Sequence, residues 1–130
     1  MTEQLLHAIR DSLLDDGWKT PDTYTNDFEE IPASSAVYLF LAYRRGYDLR
    51  EAFVAYVGMS KNAAARVAQH PIFSMVADDG FWPQRWFKPV AAGQLRNAER
   101  RYIIQFDQPY NIIGRQRGVD MTLRSGTTLA

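Results

Sequence analysis

Eight consecutive residues, Ala36-Val-Tyr-Leu-Phe-Leu-Ala-Tyr43, are almost wholly apolar and rich in β-branched and aromatic side chains. A run of this length and character suits a strand covered on both faces, because a strand with one wet face would alternate with polar residues. Ala52-Phe-Val-Ala-Tyr-Val57 repeats the character after a polar interval, Arg44 to Arg50, that holds Gly46. So short a connection, a hairpin turn or brief loop, makes the two strands antiparallel neighbours. Both faces of such a pair must be buried, so the rest of the chain has to supply the covering elements.

The chain offers them. Residues 3–16 read as a helix, with Thr2 placed to cap it, a stripe of Leu5, Leu6, Ile9, Leu13 and Leu14, and Gly17 placed to end it. Residues 18–33 hold Pro21, Pro32 and the acidic cluster Asp27, Glu29 and Glu30, and read as an irregular connector. Gly58 is expected to break the second strand. Ser60 or Asn62 then caps a short helix through Ala63, Ala64 and Ala65, which Pro71 stops. Residues 72–83 are mixed and aromatic. Gln84 to Ala91 suits a third strand, held to an edge or a bulge by Pro89. Gly93 opens a helix over roughly Gln94–Phe106, with Leu95, Ala98, Tyr102, Ile103 and Phe106 on a helical period. Pro109 ends it, and Tyr110–Ile113 reads as short and extended. Trp82, Trp86, Phe81 and Phe87 are assigned mainly to the core, with base stacking the minority reading. The expected class is α+β, a small three-stranded antiparallel sheet flanked by helices with an extra helix at the N-terminus. In a single domain, residues 1–34 form that helix and an acidic connector, 35–113 the core, and 114–130 a basic polar tail ending in frayed residues.

Composition narrows the chemistry. The chain has no cysteine, which leaves no disulfide framework and no thiolate metal site. No basic-then-apolar pattern opens it, and no apolar run is long enough to span a bilayer, so a cytoplasmic location is expected. Net charge is zero, yet residues 1–60 carry five basic and ten acidic side chains, and residues 61–130 the reverse. Such a division can place a positive field on one face of a neutral molecule, although uneven solvated surfaces arise by chance as often.

A few residues stand out from a structural background. Tyr38 and Tyr56 sit in the two apolar runs, where a tyrosine usually gives its ring to the core and finds one partner for its hydroxyl. Two of them on adjacent strands, with Gly58 just after the second, can bring their hydroxyls together at the sheet end. Arg66 is a lone arginine in an alanine-rich helix. It is either solvated or a planar fork for a phosphate. His70, four residues on and before a proline, reads more readily as a cap or a surface residue than as a catalyst. Glu99 either pairs with Arg96 or Arg100 at a surface, or holds a divalent cation together with water and a substrate phosphate. Asn111, after Pro109-Tyr110, either bonds its own backbone or fixes a loop beside a phosphate. There is no His/Cys metal spacing, no phosphate-cradling glycine loop with lysine and no nucleophile elbow.

Taken in order, these residues resemble the GIY-YIG nuclease family. The first triplet appears as Ala36-Val37-Tyr38 and the second as Tyr56-Val57-Gly58, with the tyrosines 18 positions apart. Ser60, Asn62, Arg66 and His70 follow as in the family, then Glu99 on a helix, Pro109 and Asn111. The resemblance covers roughly residues 35–112 and departs from the family at Ala36, where the first triplet has glycine. It implies a metal-dependent phosphodiesterase on one sheet face. In that reading Glu99 holds Mg²⁺ or Mn²⁺, Arg66 stabilises charge on the phosphoryl oxygens, and Tyr38 takes a proton from the attacking water. Tyr56 orients the water or the phosphate, and His70 assists as proton acceptor or hydrogen-bond partner. Gly58, Ser60 and Asn111 are structural.

The expected function is therefore a divalent-metal-dependent DNA endonuclease on single-stranded, structured or weakly sequence-selected DNA. A catalytically inactive nucleic-acid- or protein-binding domain on the same scaffold is the alternative, motivated by Ala36 and the neutral charge. The acidic N-terminal segment is a candidate surface for a protein partner.

Overall fold

β1 (Ala36–Arg44) is the middle strand of a three-stranded antiparallel sheet, flanked by β2 (Ala52–Ser60) and β3 (Phe81–Pro89) in the order β2-β1-β3. The structure, a computed structural model, describes residues 6–22, 29–44, 52–106 and 110. Both faces of β1 are covered, as its composition requires. Val37, Leu39 and Leu41 join one cluster with Leu6, Ile9 and Leu13 of α1 (Leu6–Asp15) and Leu95 and Tyr102 of α4 (Leu95–Gln105). Ala36, Tyr38, Phe40 and Ala42 join the other with Ala63 and Val67 of α2 (Ala63–Ala68) and Ile72 and Val76 of α3 (Pro71–Asp78). The result is an α+β arrangement of helix, sheet and helix layers. Each fully buried leucine or valine contributes roughly 1.5–3 kcal/mol relative to exposure.

Local chemistry sets the element ends. Gly17 adopts φ 88°, and the amides of Gly17 and Trp18 bond back to the carbonyls of Leu14 and Leu13, closing α1 as its sequence implies. The chain then runs along the outer edge of β3, where Lys19 and Phe87 exchange both backbone hydrogen bonds at 2.8 Å. Asp22 receives both the side chain and the backbone amide of Arg85, at 2.6–2.9 Å. This segment covers a strand edge that would otherwise present free ladder groups.

Several boundaries differ from the sequence expectation. Pro71 starts a helix rather than stopping one. It occupies the first turn of α3, where its missing N–H costs nothing, and α2 has already ended at Ala68. The third strand spans Phe81–Pro89 rather than Gln84–Ala91, because Pro83 lies on an edge strand, which tolerates a missing donor. A 3₁₀ turn at Ala92–Gln94 precedes α4. Gly58 does not break β2, which continues to Ser60. Trp82 is 52 % exposed, unlike buried Trp86 and Phe87, because it lies at the far end of the edge strand. Tyr110 is helical rather than extended and is buried in the α2–α3 cluster, hydrogen-bonded to Asp79. Residues 3–5, most of the Arg44–Arg50 connection, residues 111–113 and the tail from 114 to 130 lie outside the described residues.

Candidate active site

The two tyrosines share a face because of one extra residue in β2. Tyr38 pairs with Gly58 and Phe40 with Tyr56, but Leu41 pairs with Val54, which leaves Ala55 without a partner. The alternation of faces changes phase there. Ala52, Val54 and Val57 point to the α1–α4 side, whereas Phe53, Ala55 and Tyr56 point to the α2–α3 side. Strict alternation from Ala52 and Val54 would put Tyr56 on the wrong side of the sheet. The bulge at Ala55 re-aims it. The Tyr38 and Tyr56 rings then stack at 6.3 Å between centroids, 29° apart, diagonal neighbours across the ladder.

Gly58, directly opposite Tyr38, gives the Tyr38 ring its place. A Cβ built there would meet the Tyr38 Cζ and hydroxyl oxygen at 2.7 Å and Cε1 at 2.9 Å. The glycine is therefore required for close approach and not as a turn. Ala36, where the family triplet has glycine, is a fully buried strand residue, with its methyl group in the α2–α3 cluster.

Arg66 comes from α2, whose first turn is heavily anchored. The Asn62 side chain accepts from the Ala65 amide, and the Ala63 and Ala64 amides bond the carbonyls of Ser34 and Pro32. Ser60 Oγ accepts from the Asn62 amide and shapes the turn before the cap. So held, α2 buries Ala63 and Val67 and leaves Arg66 exposed beside the tyrosines. The Arg66 charge acts on Tyr38 and reaches Tyr56 and His70.

His70 caps α3. Its Nδ1 accepts the Ile72 amide at 3.2 Å, so the neutral ring carries its proton on Nε2. The ring is only 4 % exposed and sits edge-on to Tyr56, Phe40 and Tyr38, with centroids at 4.7, 5.1 and 5.6 Å. Nε2 is buried with no hydrogen-bond partner among the described residues. Burial, then the Arg66 charge, pushes the imidazole down to about 4. His70 is therefore neutral near pH 7, and its one free polar group is a donor.

Glu99 lies on α4, one turn before buried Tyr102. The Tyr102 hydroxyl donates to Asp16 Oδ2 at 2.7 Å and accepts from Lys88 Nζ at 2.8 Å, while Lys88 also reaches Asp16 Oδ1 at 3.2 Å. This triad joins the end of α1, β3 and α4, and so fixes the helix that carries Glu99. Burial raises the Glu99 carboxyl above its ordinary value, against the charge of Arg96. Its negative charge acts on both tyrosines. Burial, with the neighbouring Tyr56, drives the Tyr38 phenol well above its ordinary range despite Arg66. Burial likewise raises Tyr56.

The structure thus brings Tyr38, Tyr56, Arg66 and His70 together and sets Glu99 within electrostatic reach. Asn111 lies outside the described residues. Sequence reasoning missed Ala55, whose only signal is that Val54 and Tyr56 cannot occupy different faces of a regular strand. It also missed the Asp16–Tyr102–Lys88 triad, a contact between distant segments with no local signature. Comparison with known protein families, curated proteins and solved structures returns no match.

Proposed function

We propose that this protein is a divalent-metal-dependent endonuclease that hydrolyses DNA phosphodiester bonds, with a site of the GIY-YIG type. The observation that carries the reading is the gathering of two phenols, a guanidinium and a carboxylate, from two strands and two helices, around a glycine that only a close-packed phenol explains. Arg66 is exposed and anchored, which suits a fork for phosphoryl oxygens whose charge grows in the transition state. Both phenols keep their protons in the resting site, so their first task is to hold the attacking water and the phosphate in line. Neutral His70 is a fixed donor behind them and not a proton acceptor.

Among the described residues no three His, Cys, Asp or Glu side chains cluster as a metal cage. Mg²⁺ and Mn²⁺ need no such cage, because one carboxylate with water and substrate phosphate suffices. Glu99 fits that part, since a carboxylate raised by burial gains when a cation neutralises it. When bound, the cation supplies Lewis-acid stabilisation of the leaving oxygen and positive charge that eases loss of the Tyr38 proton.

The test is cleavage of plasmid and single-stranded DNA with Mg²⁺ or Mn²⁺, with chelator as control, beside Arg66→Ala and Glu99→Ala. Metal-dependent nicking lost in both variants is expected. Salt-sensitive DNA binding without turnover would instead assign a binding domain, and cleavage indifferent to both changes would overturn the site.

A further inference from the structure

Beyond Gly58 the end of β2 faces the start of α4 across a cavity of about 350 Å³. It is lined by Met59, Ser60 and Lys61 on one side and by Ala92, Gly93, Leu95 and Arg96 on the other. The volume is at the small end of ligand sites. The floor is mainly apolar and each wall carries one cation. Neither Lys61 nor Arg96 makes an ion pair within 4 Å among the described residues. The groove's floor, Met59 and Leu95, belongs to the α1–α4 cluster, and the groove meets the candidate site at the α4 wall, through Arg96 and Glu99. Met59 follows Gly58 directly, and Arg96 lies one turn before Glu99, whose charge it moderates.

We infer that this groove seats one unpaired nucleotide of the substrate strand next to the scissile phosphate, with its sugar and base against Met59 and Leu95 and its flanking phosphates on Lys61 and Arg96. A nucleotide matches the lining in kind: an apolar face between two anionic groups, set between two opposed cations on an apolar floor. The inference rests on the endonuclease reading and sharpens it, because a base seated there cannot be paired in a duplex. It selects a single-stranded or locally opened substrate.

Gly93 provides a clean probe. A Cβ at this position meets nothing within 4 Å, so Gly93→Trp adds bulk at the groove's lining without forcing the core to move. Binding of a labelled single-stranded oligonucleotide is measured by anisotropy over a range of salt, with Ca²⁺ in place of Mg²⁺, for the whole chain and its variants. Thermal melting serves as the folding control. The expected result is roughly tenfold weaker binding for each cation removed by Lys61→Ala and Arg96→Ala. The double variant lowers the slope of log K against log salt by about 1.4. Gly93→Trp weakens binding by roughly tenfold or more without changing the slope, because it removes space and not charge.

Wild-type cleavage together with unchanged binding in all variants would overturn the groove and leave the endonuclease reading standing. Weakened variants on a wild type that never cleaves would keep the groove and overturn the catalysis. A wild type that binds no oligonucleotide would overturn both.

Discussion

Tyr38 and Gly58 face each other across the β1–β2 ladder, and the phenol ring occupies the space that any side chain at position 58 would need. Tyr38 is itself buried and ringed by Phe40, Tyr56 and His70, so it has nowhere to retreat. Gly58→Ala is therefore expected to destabilise the protein by about 1–3 kcal/mol, the usual range for an overpacked core. In a Tyr38→Leu background the same change is expected to cost much less. Chemical denaturation of the four proteins in this cycle gives the coupling directly. Additive effects would mean that the ring and the glycine do not compete for one space.

The bulge yields a second prediction. Deleting Ala55 removes the extra residue, so Val54 and Tyr56 alternate faces directly, Tyr56 stays on the α2–α3 side and Gly58 stays opposite Tyr38. The two tyrosines therefore keep their shared face and their pairing. Both the deletion and Ala55→Val are expected to retain most of the cleavage. Loss of cleavage in the deletion variant, once shown folded by circular dichroism, would contradict the assignment of Ala55 as the extra residue.

His70 makes stability depend on pH. Its folded value of about 4 lies below the 6.5 of an unfolded chain, so the unfolded state binds the extra proton between those values. The contribution is fully present above pH 6.5 and is lost as pH falls toward 4. It amounts to ~3 kcal/mol over that window. His70→Asn keeps an acceptor for the Ile72 amide and should flatten this part of the profile. Melting temperatures of both proteins from pH 4 to 7 check it.

The triad on the opposite face predicts action at a distance from the site. Burial works to raise the Asp16 carboxyl, but hydrogen bonds from Tyr102, Lys88 and Trp18 bring it below its ordinary value. Tyr102→Phe removes the hydroxyl that both Asp16 and Lys88 use. A cost of about 1–2 kcal/mol is expected. Because Tyr102 is one turn from Glu99, the Mg²⁺ concentration for half-maximal cleavage should also rise, while the maximal rate changes little.

The sheet and the flanking helices were legible because two apolar runs demanded cover and the helical stripes supplied it. The residue types at the site were legible from their order along the chain. What was hidden follows from physics that one segment does not contain. Pro71 can end one helix or begin another, and only the capping of Ile72 by His70 decides it. Gly58 reads as a turn because glycine is common in turns, yet its role is room for a ring from another strand. The phase change at Ala55 shows only when the faces of both strands are compared. Arg66 could be recognised as an isolated cation, but not as the partner of Tyr38, which reaches it across the fold.

The most direct measurement is a single-turnover cleavage cycle on single-stranded DNA with Mg²⁺, comparing wild type, Arg66→Ala, Glu99→Gln and the double variant. If the two residues serve one transition state, each single change should lower the rate by roughly 10²–10³-fold, with the double variant little worse than either. A wild-type rate in either single variant would contradict the site.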